Sequence, residues 1–507
     1  MVYLISIYEN RLFFEDLGVN RIAAFLEERG IEYRFSYIKC DSEIDSDKWN
    51  KIVSSDYLGI SVYDNNIDYA DNLVARAKRV NPNLFVFYGS QYASIAYKDI
   101  LEKNKNIDCI ILGDGEYSIL EIISANNLQD RKKMISSSPY LVSIESQENK
   151  HCRFSDIQEL PWPKYNKEYY KKNLHIDLNS SSGCVGNCSF CGSLRRKWSG
   201  RTPENIADHI QKTEQDTNIH SFYFSDSSFE DPGELGKKRL DHIADMIAER
   251  GINCSFSANI RAETFSDNPS DVALLSKLQR VGFSQLFIGV ESGNDHDLKI
   301  YNKRASTIHN REIIGLLKRI GIEPFWGFIM FNPYSTQQSL TENCNFLVDM
   351  QSYISYHYVS FLTIYNGTAI YQKTQNDGLL KHTGRNHITY TLADKQTEKL
   401  YKWVIDRLIN SDLLNVMKQT RDFFHFYYYM KPILPEIEFL FGDKIDDLKK
   451  KLAAVNQSFF TPVYSSGNLT EGDMLLPKFT EEILHTWMHL SKVQAKILKK
   501  YYSKYNR

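Results

Sequence analysis

The sequence predicts an α/β protein in three parts: a doubly wound domain over residues 1–125, a partial (β/α)6 barrel over 174–377, and a mainly helical C-terminal domain over 378–507. Residues 126–173, polar and containing SSSPYL and PWPKY, are expected to link the first two. Three observations carry this division. Continuous apolar runs alternate with helical stretches through the first 125 residues, which is the pattern of parallel strands covered on both faces. The same alternation restarts at Leu174 and supplies six further strand–helix units. Beyond Gly378 the apolar residues step by three or four, as Phe479, Ile483, Trp487, Leu490, Val493 and Ile497 do.

In the first part, strands are expected at 2–8, 32–37, 57–63, 84–88 and 107–112, with helices near 21–29 and 67–80. Such a Rossmann-like sheet binds ligands in the crevice at the carboxyl ends of its strands. Gly59, Ser61, Gly89 and Ser90 stand at those ends and are candidates to line it, although small residues there also suit plain strand–helix turns. In the second part, strands are expected at 174–179, 219–225, 252–259, 284–290, 322–330 and 356–364. Successive strand residues face opposite sides. In the third of these strands Asn253, Ser255, Ser257, Asn259 and Arg261 share one side, against Ile252, Cys254, Phe256, Ala258 and Ile260. His175, Asp177 and Asn179 likewise oppose Leu174, Ile176 and Leu178. A barrel with a polar lumen and an apolar exterior wrapped by helices gives this parity, whereas a packed structural barrel would be filled by branched apolar residues.

Composition excludes several classes. Lys plus Arg is 61 and Asp plus Glu is 63, so no basic excess favours nucleic acid or anionic membrane. No run approaches 18 apolar residues, and the first residues lack a cationic segment followed by a long apolar one, so a cytoplasmic protein without a membrane partner is expected. Eight cysteines in such a chain are expected to be thiols. Three of them, Cys184, Cys188 and Cys191, crowd into the stretch SSGCVGNCSFC at 181–191, directly after the first barrel strand. A barrel of this kind places its active site there, and thiolates are the usual ligands of iron–sulfur clusters. Three ligands for a four-iron cluster leave one iron open for a bound molecule, as an open coordination position does in any catalytic metal site. The alternative, a zinc knuckle, wants a fourth ligand at knuckle spacing, and no nearby Cys or His supplies one convincingly.

The C-x3-C-x2-C spacing with Phe190 before the last cysteine resembles the signature of the radical S-adenosylmethionine (SAM) superfamily. The resemblance covers roughly 174–370 and extends to FSDSSF (224–229), GVESGN (289–294), GFIMFNP (327–333) and YNGTAIY (365–371). It implies a 4Fe–4S cluster on Cys184, Cys188 and Cys191, SAM chelated to the open iron, and reductive cleavage of SAM to a 5′-deoxyadenosyl radical. It implies SAM contacts from Phe190, from Glu291 and Ser292 at the end of the fourth strand, and from Arg261 at the end of the third. Arg261 and Glu291 could equally pair with each other or close the barrel. The family's Gly-Gly-Glu motif for the SAM amine is absent, and Ser225-Asp226-Ser227 stands in its place, where Ser225 or Asp226 could serve as the acceptor.

The first domain resembles the cobalamin-binding domain that precedes many radical SAM cores, through 14–32, 58–66, 88–94 and 112–123. Its Asp-x-His-x-x-Gly motif is missing: the corresponding loop at 9–14 reads ENRLFF, and no histidine precedes His151. Cobalamin would then bind without a histidine ligand, or the domain would serve as a scaffold. The leading expectation is cobalamin-dependent C-methylation of a peptide or small natural-product precursor, with a reducing partner such as flavodoxin or ferredoxin. The alternative is a cobalamin-independent epimerase or cross-linking enzyme. A non-catalytic iron–sulfur sensor is a third reading, opposed by the polar lumen. An epimerase needs a thiol near the substrate radical, and neither Cys254 nor Cys344 is well placed by strand parity or helix periodicity. The C-terminal domain is expected to cap the barrel mouth as a substrate domain, with its aromatic run FFHFYYY (423–429) largely core.

Overall fold

The structure, a computed structural model, describes the chain except residues 9–15, 41, 43, 126, 147–149, 166–169, 171–173, 383–387 and 506–507. The loop at 9–14, where a cobalt-ligating histidine is missing from the sequence, therefore lies outside the described residues.

The N-terminal sheet contains β1 (Val2–Tyr8), β2 (Tyr33–Lys39), β3 (Tyr57–Ser61), β4 (Phe85–Gly89), β5 (Cys109–Ile111) and β6 (Leu141–Val142) in the order β2-β1-β3-β4-β5-β6. The first five are parallel and β6 runs antiparallel to β5. Apolar clusters bury both faces, one around Ile5, Ile60, Val86 and Tyr88, the other around Leu4, Phe85, Phe87 and Ile111. The order reverses beside β1, so the crevice between β1 and β3 is the topological switch point. The stretch expected as a linker is partly domain. The helix Leu128–Ser137 and β6 extend the first sheet, because Leu141 and Val142 complete its two apolar faces.

The second sheet is fully parallel: β7 (Ile176–Leu178), β10 (Ser221–Phe224), β11 (Ser255–Arg261), β12 (Phe283–Glu291) and β13 (Glu323–Phe328), in that order. A two-residue hairpin, β8 (Ser181–Ser182) with β9 (Ser199–Gly200), brackets the cysteine loop. The intervening helices start on local signals. Thr202 and Asn268 accept from the amides of Asn205 and Asp271 with Pro203 and Pro269 in the first turn, and Gly321 ends its helix in the left-handed region. The parity holds: Phe256, Ala258, Ile260, Leu286, Ile288 and Val290 are buried under these helices. The sixth strand expected at 356–364 is instead a short 3-10 turn, Ser355–Val359, followed by a single parallel bridge between Phe331 and Phe361.

The C-terminal helices do not cap the mouth. Asp412–Ile433 runs beneath the barrel and fills the lower lumen with the aromatic run. Ser257 donates to Tyr429 Oη at 3.4 Å, Tyr429 stacks on His175, and His425 bonds Gln285 while stacking on Phe325 at 3.8 Å. The polar lumen predicted from parity requires partners for Ser257 and Gln285, and this helix supplies them. Glu436–Ser466 packs alongside, its Lys449 reaching Glu323 at the start of β13. No helix among the described residues is long and apolar enough to cross a membrane.

Candidate functional site

The carboxyl ends of both sheets open on one cavity of about 460 Å³. The N-terminal domain contributes Leu4, Gly59, Ser61, Phe87 and Gly89; the barrel contributes Asp177, Asn179, Ser225 and Ser227, with Cys184, Cys188 and Cys191 between them. The mouth that the C-terminal helices were expected to cover is thus covered by the N-terminal domain. Two arginines that sequence reasoning missed join the halves. Arg21 meets Glu116 at 2.5 Å and donates to Asn179 at 3.2 Å, while Arg196 donates to Asp114 at 2.9 Å and to the Ser155 carbonyl at 2.6 Å. An isolated arginine in a helix or loop carries no signal for such a role.

The cysteine loop is held by backbone geometry. Gly183 has φ 92°, and a Cβ there would lie 3.0 Å from Trp198 Cα, so only glycine lets the loop leave β8 against the returning chain. Asp231 accepts from the Val185 amide at 2.9 Å, and the Gly186 amide donates to Cys184 Sγ at 3.3 Å. Burial pushes the Cys184 thiol up to about 11, opposed by the Gly186 hydrogen bond, and also raises Cys188, opposed by the Lys303 charge. All eight cysteines are free of disulfides. Phe190 packs edge-on against Tyr301 at 5.4 Å and orients the loop's last turn.

Arg261 and Glu291 do not pair with each other. Arg261 binds Glu230 at 3.2 Å and Asp231 at 2.9 Å, and its Cδ lies 3.8 Å from the position of a Gly186 Cβ, against the cysteine loop. Arg261 Nη1 and Glu263 Oε2 are buried without a hydrogen-bond partner among the described residues, the two side chains meeting only as an ion pair at 3.8 Å. Glu291 sits at φ 65° where the β12–β13 register shifts, its carbonyl accepting from Ile329. Its carboxylate crosses Gly289 and Gly327, within 3.0 and 3.2 Å of where their Cβ atoms would be. Across these glycines the carboxylate meets Lys303 Nζ at 3.9 Å.

Two expected SAM contacts are structural instead. Asp226 is fully buried, accepting from the Ser180 and Ser181 amides at 2.7 and 2.9 Å, and so anchors the turn after β7. Its neighbours Ser225 and Ser227 line the cavity. Ser292 is fully buried too, its hydroxyl 2.8 Å from Asn343 Oδ1 in a network with Asp297. For Asp226 alternation decides it: Ser225 and Ser227 on either side face the cavity and Asp226 the core. Ser90, also expected as a ligand contact, lines the cavity but spends its hydroxyl accepting from Ala93 as a helix cap. Cys254 and Cys344 are buried outside the cavity lining.

Residues 178–347 match the radical SAM superfamily model and residues 9–123 the B12-binding domain model. The chain joins a B12-binding domain to a radical SAM domain. It is 23% identical over 334 residues to an uncharacterized methyltransferase of Pyrococcus horikoshii, covering 64% of this chain and 70% of the relative. It is 25% identical over 312 residues to the anaerobic magnesium-protoporphyrin IX monomethyl ester cyclase of Cereibacter sphaeroides, covering 59% of this chain but 49% of that relative. The cobalamin-dependent SAM radical enzyme OxsB, solved with aqua-cobalamin and SAM, shares the fold over 100% of this chain and 81% of its own, with a TM-score of 0.73 at 17% identity.

The radical SAM domain implies a 4Fe–4S cluster and SAM, and the B12-binding domain implies cobalamin. The residues present fit these groups. Three free thiols converge on one cavity, and the loop that carries them packs on Arg261, whose Nη1 makes no hydrogen bond among the described residues. On the other side of the radical SAM cavity, Gly59 packs flush on Phe87 and Leu4, and no atom lies within 4 Å of where a Gly89 Cβ would be. Together they leave an apolar floor of Leu4 and Phe87 beside two glycines that add no side chain of their own.

Proposed function

We propose that this chain is a cobalamin-dependent radical SAM methyltransferase acting on an unactivated carbon of a peptide or small natural-product precursor. The observation that carries the proposal is the single cavity shared by the three cysteines and the carboxyl ends of the N-terminal strands. When bound, the cluster and SAM supply one-electron chemistry, and cobalamin supplies a transferable methyl group. Cys184, Cys188 and Cys191 would hold the cluster, and Arg261, Glu263 and Glu291 would bind the polar groups of SAM. Gly59, Ser61 and Gly89 seat the corrin. Docking of the N-terminal domain through Arg21 and Arg196 shields the space between them from water. The shared cavity disfavours an epimerase, as does the burial of Cys254 and Cys344 outside its lining. A reductant is required, and a flavodoxin- or ferredoxin-like donor suits the chemistry.

The experiment is anaerobic purification with hydroxocobalamin supplied, then desalting and a visible spectrum of the extracted cofactor. Stoichiometric cobalamin, with substrates gaining about 14 mass units, supports methyl transfer. SAM cleavage with no retained cobalamin would reduce the N-terminal domain to a scaffold.

A further inference from the structure

Away from the cofactor cavity, three metal-ligating side chains meet at the opposite, amino-terminal end of the barrel sheet. Glu214 lies in the last turn of the helix Pro203–Thr217, His220 directly precedes β10, and Cys254 directly precedes β11. The two strands pair in parallel with Ser221 beside Ser255, and the Ser255 amide donates to the His220 carbonyl at 2.8 Å. That register sets His220 beside Cys254. Alternation gives both the side of the sheet on which Phe222 and Phe256 are buried under the helices. A Glu214 carboxylate oxygen, a His220 ring nitrogen and Cys254 Sγ all lie within 4.8 Å of one another. Tyr505, near the end of the C-terminal helix, tilts against the His220 ring at 4.4 Å, and its carbonyl accepts from Asn218 at 2.7 Å.

The trio does not satisfy itself. His220 Nδ1 lies 2.8 Å from Glu214 Oε1, and Nε2 is buried with no hydrogen-bond partner among the described residues. Cys254 is 2% exposed, and burial, helped by the Glu214 charge, pushes its thiol up. That is the reverse of a nucleophile's setting, so the trio is not a catalytic Cys–His–Glu arrangement. A metal ion, by contrast, deprotonates a coordinating thiol outright. One thiolate and one carboxylate then carry two negative charges, which a divalent cation cancels. Thiolate, imidazole and carboxylate are together a donor set of zinc. Donors around a tetrahedral zinc stand roughly 3.5 Å apart, so side-chain movements of about an ångström close the site. We propose that Glu214, His220 and Cys254 bind one zinc ion, with water in the fourth position and the Cys254 proton released to solvent. The ion ties the end of a helix to the starts of two strands, on the barrel face where residues serve stability and not catalysis. It is a second metal site, independent of the cysteine loop.

The test uses the untagged full chain carrying Cys184→Ala, Cys188→Ala and Cys191→Ala, so that the cluster thiols do not compete. It is titrated anaerobically with Co2+, an optical probe for a zinc site. Expected are one Co2+ per chain, a near-ultraviolet thiolate-to-cobalt charge-transfer band, and loss of that band on addition of Zn2+. Adding Cys254→Ala is expected to abolish the band and to weaken Zn2+ binding about a hundredfold, and His220→Gln to weaken it about tenfold or more. A folded chain that gives no band, or a band that survives Cys254→Ala, overturns the proposal. So does cobalt uptake without the band, which a pair of exposed imidazoles such as His485 and His489 would give. If Cys254→Ala does not fold, His220→Gln carries the criterion, and unchanged Zn2+ affinity overturns the site. If the triple-alanine chain itself does not fold, zinc is counted beside iron in the reconstituted wild-type chain after exposure to Zn2+ and desalting. A chain that holds iron but no zinc then overturns the proposal.

Discussion

Gly89 ends β4 at the cavity and offers a substitution that separates ligand binding from folding. Nothing lies within 4 Å of a Cβ built there, and its φ is outside the left-handed region, so the fold itself has room for a side chain. Gly89→Ala at a compatible backbone position is expected to change stability by about 0.4–1 kcal/mol in the favourable direction, through the unfolded chain. Gly89→Leu projects its branch into the space assigned to the corrin. Cobalamin cannot deform to avoid it, and a hundredfold loss of affinity, about 2.7 kcal/mol, is expected. The assay is cobalamin per protein after desalting, with a titration for Kd, beside a thermal melt and an iron count. Expected are an unchanged melt, unchanged iron and lost cobalamin for leucine, with alanine intermediate. Wild-type cobalamin affinity in a folded Gly89→Leu protein would refute the assignment of the β4 end as corrin floor.

Three further predictions follow from the same geometry. Cys184→Ala, Cys188→Ala and Cys191→Ala should each abolish SAM cleavage to 5′-deoxyadenosine, read by chromatography; cleavage by any of them removes the proposed cluster. Asp226→Ala should cost about 3 kcal/mol in urea unfolding, since it strips the Ser180 and Ser181 amides of their acceptor and leaves Arg239 buried and uncompensated. Full stability with lost SAM affinity would instead make Asp226 a ligand. His425 and His357 are held neutral by burial, each pushed down to about 3. Unfolding lets them take up protons below their ordinary value of about 6.5, so stability is complete above that pH and falls as pH drops toward 3, by about 1.4 kcal/mol per unit for each. Denaturation midpoints between pH 6.5 and 5 should show this slope, and His425→Leu should remove about half of the part these two supply.

The residues most legible in the sequence were those whose chemistry is carried by local spacing. The cysteine loop needs three thiols within one turn of chain, so its motif is written contiguously. The strands of both sheets were legible because parallel strands read as apolar runs, and the lumen's polarity was legible because alternation is local. Of the expected contacts after the second barrel strand, Ser225 lines the cavity while Asp226 is buried in the core, and so is Ser292.

Tertiary structure decided everything that depends on residues distant in the chain. That Arg261 binds Glu230 and Asp231, that Lys303 lies beside Glu291, and that 412–433 plugs the barrel from below are all contacts between separate elements. The C-terminal helices are amphipathic wherever they pack, so periodicity could not say whether they cover the mouth or the base. The lumen's lower polar residues, Ser257 and Gln285, needed partners, and that need placed the aromatic helix beneath them. The mouth was left to the N-terminal domain. Sequence by itself determined that two cofactor-type domains are present, because each is a local pattern. Only the fold decided that they face one another across one cavity, because no local pattern encodes the docking of Arg21 and Arg196 across the domain boundary.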